Sequence, residues 1–457
     1  MSNEFKAVVI SGATSGAGKT TMATGIIGAL VKRGLRVQPF KAGPDYIDPS
    51  YHTEVAKRLS RNLDTWMLPH DSVVELFQRA SSDADISLVE GVMGLYDGHS
   101  VNNETGSTAE LAKVLGLPVL LVLDAYGAAR SLAAMASGYK NFDPRLNLAG
   151  VIFNNIGSEN HYQMCREAVA GATGLAILGY LPRRGDLVLP ERHLGLIPMA
   201  ETPAAQDFFT RLAAQVEMTI DLDKIVAIAA EALPPKITAT LFPERPEPKL
   251  VRIAIARDKA FSFYYQDNLD ILEAWGAELL PFSPLADAAL PEGTNGIYIG
   301  GGFPEIYAQE LSQNRPMLAA LRQAGENHIP IYAECGGLMY LGNSLRDISG
   351  QEHQMVGLLP VASHLDGTNL VLGYRTVRAL SDGPILKSGE ELRGHEFHWS
   401  RLDHEPQQEA AYVVLEQSRR EGFRTENVLA SYIHLHFASR AGLAQRLVLF
   451  CKQRSAR

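Results

Sequence analysis

Short aliphatic and β-branched runs recur through the first half of the chain, and between them apolar residues return with the period of a helix. Ala7–Ser11, Arg36–Phe40, Ile86–Glu90, Pro118–Asp124 and Leu148–Asn154 are largely apolar, the pattern of strands covered on both faces of a parallel sheet. The segments between them, such as Thr20–Lys32 and Ser107–Leu115, carry the helical period. Strand and helix in alternation predict α/β layering. Polar residues end or follow the runs at Lys41, Glu90, Asp124 and Asn154, at the carboxyl edge of the sheet where such folds bind ligands.

The pattern stops at Pro234–Pro235, and three more prolines precede Lys249. Proline removes backbone donors and favours extended chain, so 234–249 reads as a linker between a domain over 1–233 and a second over 250–457. New strands are expected at Arg252–Ala256, Gly296–Ile299 and Pro330–Ala333, with a helix over Asp267–Trp275.

Composition narrows the possibilities. A chain of 457 residues exceeds one ordinary core, and 46% apolar with 20% charged residues describes a globular protein. The net charge of −9 argues against a nucleic-acid partner, which would require clustered Lys and Arg. Cys165, Cys335 and Cys451 are spaced for neither a disulfide framework nor a zinc cluster, so a reducing cytoplasm is expected. Ala7–Ile10 runs into a glycine loop and is too short for an export signal, and no stretch approaches the roughly 20 apolar residues of a membrane helix. A homo-oligomer stays open.

Two chemically different motifs stand out. The first is Gly-Ala-Thr-Ser-Gly-Ala-Gly-Lys-Thr, Gly12 to Thr20, between a short strand and a helix, with one residue more between its outer glycines than the commonest phosphate loop has. Backbone N–H groups around Gly12, Thr14, Ser15, Gly16, Ala17 and Gly18 would turn toward ATP phosphates, with Lys19 on phosphate, Thr20 on Mg²⁺ and Thr21 in the first helical turn. Lys41, Asp45 and Asp48 crowd a Gly-Pro turn after the next strand, and Glu90 ends an apolar strand in the manner of a Walker-B acid. Thr20, Asp45, Asp48 and Glu90 are therefore the candidate metal ligands and Lys41 a nucleotide contact; turn chemistry is the plainer reading of the aspartates. Asn154 and Asn155 are candidates for adenine.

The second motif is Ala-Glu-Cys-Gly-Gly, Ala333 to Gly337, where a strand meets a helix. A nucleophile elbow of this kind would expose the Cys335 sulfur, and a helix start behind it would lower the thiol pKa. Gly301 and Gly302, in Ile-Gly-Gly-Gly-Phe-Pro-Glu, are candidate oxyanion donors. Ser-Tyr-Ile-His-Leu-His-Phe supplies His434 and His436, which on a strand would face one side and offer a base. A metal site shared with His395 and His398 is the competing use.

These motifs, together with Gln-Pro-Phe-Lys-Ala-Gly-Pro-Asp-Tyr-Ile-Asp, Val-Glu-Gly-Val-Met-Gly-Leu-Tyr-Asp-Gly, Leu-Pro-Glu-Arg-His-Leu-Gly-Leu and Ile-Ala-Arg-Asp-Lys-Ala-Phe-Ser-Phe-Tyr-Tyr, run nearly the whole chain. In that order they resemble the cobyrinate a,c-diamide synthase family. The resemblance implies a P-loop domain like dethiobiotin synthetase, followed by a class I, triad-type glutamine amidotransferase domain. It implies amidation of the a and c acetates of cobyrinate, a corrin, with ATP and glutamine, in cobalamin biosynthesis. Cys335 becomes the nucleophile that forms a glutamyl thioester, His434 the base, and Tyr46 and Asp97 the substrate contacts. That class places Glu two residues after the histidine; here His436 stands there, and the third triad member is open. Hydrogenobyrinate or nickel sirohydrochlorin are alternative substrates. A P-loop regulatory ATPase fused to an inert amidotransferase-like module is the rival from another class.

Overall fold

All five apolar runs of the first half are strands, and they lie side by side in an order different from their order in the chain. The computed structural model describes residues 5–187, 191–192, 195–196, 205–365 and 370–455. It divides into two compact units, Met1–Ala239 and Thr240–Arg457. In the first unit β1 (Ala7–Gly12), β2 (Val37–Ala42), β3 (Arg61–Leu63), β4 (Ile86–Gly94), β5 (Val119–Asp124), β6 (Leu148–Ile156) and β7 (Ala176–Pro182) form a sheet in the order β3-β2-β4-β1-β5-β6-β7. Every neighbouring pair is parallel. β3 and β7 are not among the apolar runs of the sequence, because β3 is three residues long and β7 is interrupted by Gly179. Helix α1 (Lys19–Lys32) packs Met22, Ile26, Ile27 and Leu30 into a core with Val8, Ile10 and Leu120 from the sheet and Leu212 and Val216 from the helix Ala205–Thr219.

The second unit mixes two arrangements in one sheet. Ala277–Phe282, Val251–Ala256, Gly296–Ile299, Ile331–Glu334 and Val428–Ser431 are parallel neighbours. Antiparallel strands Arg419–Arg424, Ala410–Val414, Val371–Ala379, Glu391–His398 and His434–Leu435 continue it to ten strands. Val428–Ser431 and His434–Leu435 are almost consecutive in the chain, yet they lie at opposite ends of this antiparallel portion. The sheet must therefore curl back on itself, which carries Glu391–His398 toward the end of Ile331–Glu334.

Residues 232–250 form no helix or strand. The Leu233 N–H donates to Gly116 O at 2.9 Å, and Pro235 O accepts from Gln78 at 2.7 Å. Farther on, Leu241 O accepts from Trp275 at 2.9 Å. The linker is thus tied at each end to the unit it adjoins. Glu191–Arg192 and Gly195–Leu196 pair antiparallel, while the remainder of the Leu-Pro-Glu-Arg-His-Leu-Gly-Leu run lies outside the described residues. Among the described residues, no helix is long and apolar enough to cross a membrane.

Candidate active site

Between β1 and α1 the chain turns through Gly16 and Gly18 at φ 77° and 92°, a region other residues enter only with strain. Gly18 is also hemmed in, since a Cβ there would lie 2.1 Å from Asn154 Nδ2. That amide donates to Ala17 O at 3.0 Å, so Asn154, expected at adenine, holds the shape of the loop. Asn155 donates to Asp124 Oδ1 at 2.9 Å. Thr14, Ser15 and Gly16 form an exposed tip, while Lys19 is buried and bends back to donate to Thr14 O at 3.2 Å. Burial, and next the nearby Lys41 charge, lower the Lys19 pKa. An anion bound in the loop would relieve both.

Register explains the cluster beside the loop. Ile10 and Lys41 are the neighbours of Glu90 on either side. Lys41 Nζ lies 2.9 Å from Glu90 Oε1 and 2.7 Å from Asp48 Oδ2, and also donates to Gly91 O at 3.1 Å. Thr20 Oγ1 donates to the same Glu90 oxygen at 2.7 Å and reaches Asp48 Oδ2 at 3.3 Å. The other Glu90 oxygen lies 2.6 Å from His52 Nε2. Burial works against the Glu90 charge, but Lys41, His52 and Thr20 overcome it and hold the carboxyl below its usual range. Lys41 is raised despite burial, by Asp48 and Glu90.

Asp45 stands one step back. Its Oδ1 accepts from Ile47 N at 2.7 Å and Asp48 N at 3.3 Å, as the lead-in to helix α2 (Asp48–Ala56). Desolvation and the adjacent Asp48 charge push it up to about 8. The structure therefore joins Thr20, Asp48 and Glu90, with Lys41, and gives Asp45 a capping role. Asp97 Oδ2 accepts from Gly94 N at 3.0 Å in its own turn, and Tyr46 is half-buried beside Asp45. His52 escaped the sequence reading, although its spacing from Asp48 puts both on one face of a helix.

Cys335 sits at φ 48°, ψ −102°, between Ile331–Glu334 and the helix Gly336–Leu341. A non-glycine residue there is strained, as at a nucleophile elbow. The flanking space explains the glycines: a Cβ on Gly337 would lie 2.5 Å from Ile299 O, and one on Gly336 would lie 2.9 Å from Pro304 Cδ. The thiol is not exposed, as the motif led us to expect, but 4% accessible, with Sγ 3.6 Å from Phe397 O. Burial, with the Glu305 charge next, pushes the thiol pKa up, and the Gly336 N–H only partly offsets it. Desolvation outweighs a helix of one and a half turns, which corrects the expected lowering.

The glycine loop Gly300–Gly302 lies against the elbow. Gly301 N–H donates to Phe263 O at 3.2 Å and Gly301 O accepts from Phe263 N at 3.0 Å, so one of the two expected oxyanion donors is already engaged. Gly302 N would lie 3.2 Å from a Cβ on Gly336, which sets it beside the start of the helix. A Cβ on Gly301 would come within 2.6 Å of His434 Cε1 and 3.5 Å of Cys335 Cβ. Imidazole and thiol thus flank one glycine. His434 Nδ1 lies 3.5 Å from Glu334 Oε2.

His436 does not share that position. The strand ends at Leu435, and His436 Nδ1 accepts from Ala438 N at 3.2 Å, capping the turn Phe437–Ser439. Its Nε2 lies 3.9 Å from Asp267 Oδ2, and its ring stacks on Tyr265 at 4.8 Å. The two histidines meet different partners because the pairing with Glu391–His398 ends at Leu435, and His436, still extended at φ −97°, ψ 120°, lies against Tyr265 and Asp267 and caps the next turn. His395 pairs opposite His434 in the sheet, and its pKa falls to about 3, chiefly through burial. His398 stacks on Tyr432 at 3.8 Å and reaches Glu396, which Arg375 and Arg419 also hold. Among the described residues no three His, Cys, Asp or Glu side chains gather as a metal site requires, which removes support for the four-histidine reading.

Comparison with known proteins agrees with this division. Residues 8–197 match the CobQ/CobB/MinD/ParA nucleotide binding domain, and residues 252–442 match the CobB/CobQ-like glutamine amidotransferase domain. A cobyrinate a,c-diamide synthase of Dehalococcoides mccartyi is 49% identical over 98% of this chain and 98% of its own length. Enzymes of the same name from Priestia megaterium and Salmonella typhimurium are 42% and 43% identical, over 99% and 97% of this chain and 98% of each relative.

Proposed function

The chain belongs to the cobyrinate a,c-diamide synthase family, and on that premise we propose that it amidates the a and c acetates of cobyrinate with nitrogen from glutamine, at the expense of ATP. The observation that carries this reading is the pairing in one chain of the Thr20–Glu90–Lys41 cluster behind a phosphate loop with a strained Cys335 beside His434.

A carboxylate is a poor acyl donor. Transfer of the γ-phosphoryl group of ATP to an acetate oxygen releases ADP and leaves an acyl phosphate; ammonia attacks the acyl carbon and phosphate departs. Lys19 and the loop amides bind the phosphates, and Lys41, whose charge already acts on Lys19, adds the positive charge that would meet the migrating group. Thr20, Asp48 and Glu90 form an oxygen-only donor set that suits magnesium, whose remaining ligands would be water and phosphate. Magnesium bound there would neutralise phosphate charge. Asp97 and Tyr46 are assigned to the corrin side, and Asn154 braces the loop through Ala17 O.

At the other site the Cys335 sulfur attacks the glutamine carboxamide as His434 takes its proton. Because burial opposes a standing thiolate, the transfer must accompany attack. The Gly302 N–H, beside the start of the helix, is the donor assigned to the developing oxyanion. The imidazolium returns its proton to the leaving ammonia, and water hydrolyses the thioester to glutamate. Each amide consumes one ATP and one glutamine, twice per product.

Mass spectrometry of products after incubation with ATP, Mg²⁺, glutamine and a panel of tetrapyrroles tests the reading. A gain of two amides on cobyrinate is expected. Preference for hydrogenobyrinate or nickel sirohydrochlorin would change the substrate, and absence of glutaminase turnover would favour the inert-module rival.

A further inference from the structure

We propose that Glu334, the residue immediately before the nucleophile, is the positioning carboxylate of the amidotransferase site, in place of a glutamate after His434. This rests on the glutaminase reading above. Glu334 is 1% exposed, and Oε2 lies 3.5 Å from His434 Nδ1. Oε2 also accepts from Tyr298 at 3.3 Å, while Oε1 accepts from Tyr332 and from Leu435 N at 3.1 Å. Both oxygens are therefore fixed, one of them by the backbone next to His434 itself. His436, where the family pattern expects an acid, is turned to the cap of Phe437–Ser439.

The charge balance favours the assignment. Tyr264, Tyr298, Tyr332 and Tyr412 all feel the Glu334 charge, and burial pushes each of them up, so they remain neutral. Cys335 is likewise raised, mainly by burial. The base beside the thiol is His434, and His395, which faces it from the adjacent strand, is kept neutral chiefly by burial. A carboxylate at Nδ1 selects the tautomer that carries its proton there, so that Nε2 is the nitrogen that takes the thiol proton, and stabilises the imidazolium that results. The 3.5 Å gap is of the loose kind that closes when substrate binds.

The test compares wild type with Glu334→Gln, which keeps shape and most hydrogen bonds but loses the charge. Glutaminase kcat should fall by roughly 10²–10⁴-fold with little change in KM. The acidic limb of its pH profile should move down by about one unit, because the imidazolium has lost its counter-charge. Ammonia-driven amidation should be unchanged. A double Tyr298→Phe, Tyr332→Phe variant keeps the carboxylate, held then by Leu435 N alone of these three donors; a smaller fall in kcat, with the limb broadened or shifted, is expected, and this variant decides the matter if Glu334→Gln does not fold. An active wild type with unchanged kcat and pH profile in the folded variants overturns the role of Glu334. A wild type without glutaminase activity overturns the underlying reading as well.

Discussion

The two sites use the same local device with opposite electrostatics. Each places its reactive groups where a parallel strand gives way to a helix, the phosphate loop after β1 and the elbow after Ile331–Glu334. In the first, Lys41 answers Glu90 and Asp48 and His52 adds a contact to Glu90, so the Lys41 and Glu90 charges persist under burial. In the second the charges that act on the Cys335 thiol are the carboxylates Glu305, Glu334 and Glu396, and burial above all pushes its pKa up. The difference fits the chemistry. A site that receives a polyphosphate must already be charged, whereas a nucleophile released only when glutamine arrives is protected from idle reaction.

If the sites are chemically separate, Cys335→Ser should reduce glutamine-driven amidation to background, by about 10⁴-fold or more, and leave the ammonia-driven rate intact. Loss of both activities in a folded variant would break the comparison. The base is next in magnitude. His434→Ala should lower glutaminase turnover by about 10²–10⁴-fold, and His436→Ala by far less, since His436 caps a turn; the reverse ranking would exchange their roles.

On the other side, Glu90→Gln should slow the glutamine- and ammonia-driven reactions alike, by roughly 10²–10³-fold, and weaken the Mg²⁺ dependence, while thioester formation at Cys335 proceeds. Wild-type ammonia-driven rates would reduce the cluster to structural ion pairing. Asp45→Asn should have the smallest effect on activity, and its signature is pH. The folded Asp45 carboxyl titrates at about 8, above its unfolded value, so the stability it confers is complete below pH ~4 and declines as pH rises through 8. Denaturant melts across that window should be flatter for Asp45→Asn than for wild type. Identical curves would show that Asp45 ionises normally.

Much of this was legible in the residues. Apolar runs marked the buried strands because a strand covered on both faces admits few polar side chains, and the glycines of both turns announced places where backbone crowding and positive φ leave no room for a Cβ. The two compact units divide at Ala239 and Thr240, inside the proline-rich stretch that precedes Lys249. These are local properties, and a local pattern suffices to encode them.

Tertiary structure alone decided which of those groups meet. Lys41 faces Glu90 because β2 lies beside β4, an order no single strand specifies. Glu334 finds His434, and Phe397 O comes to the thiol, through the order and curl of the ten-stranded sheet. The direction of the Cys335 shift reversed for the same reason: a helix start is visible in the sequence, but the desolvation that outweighs it is the sum of many distant segments closing over one sulfur atom.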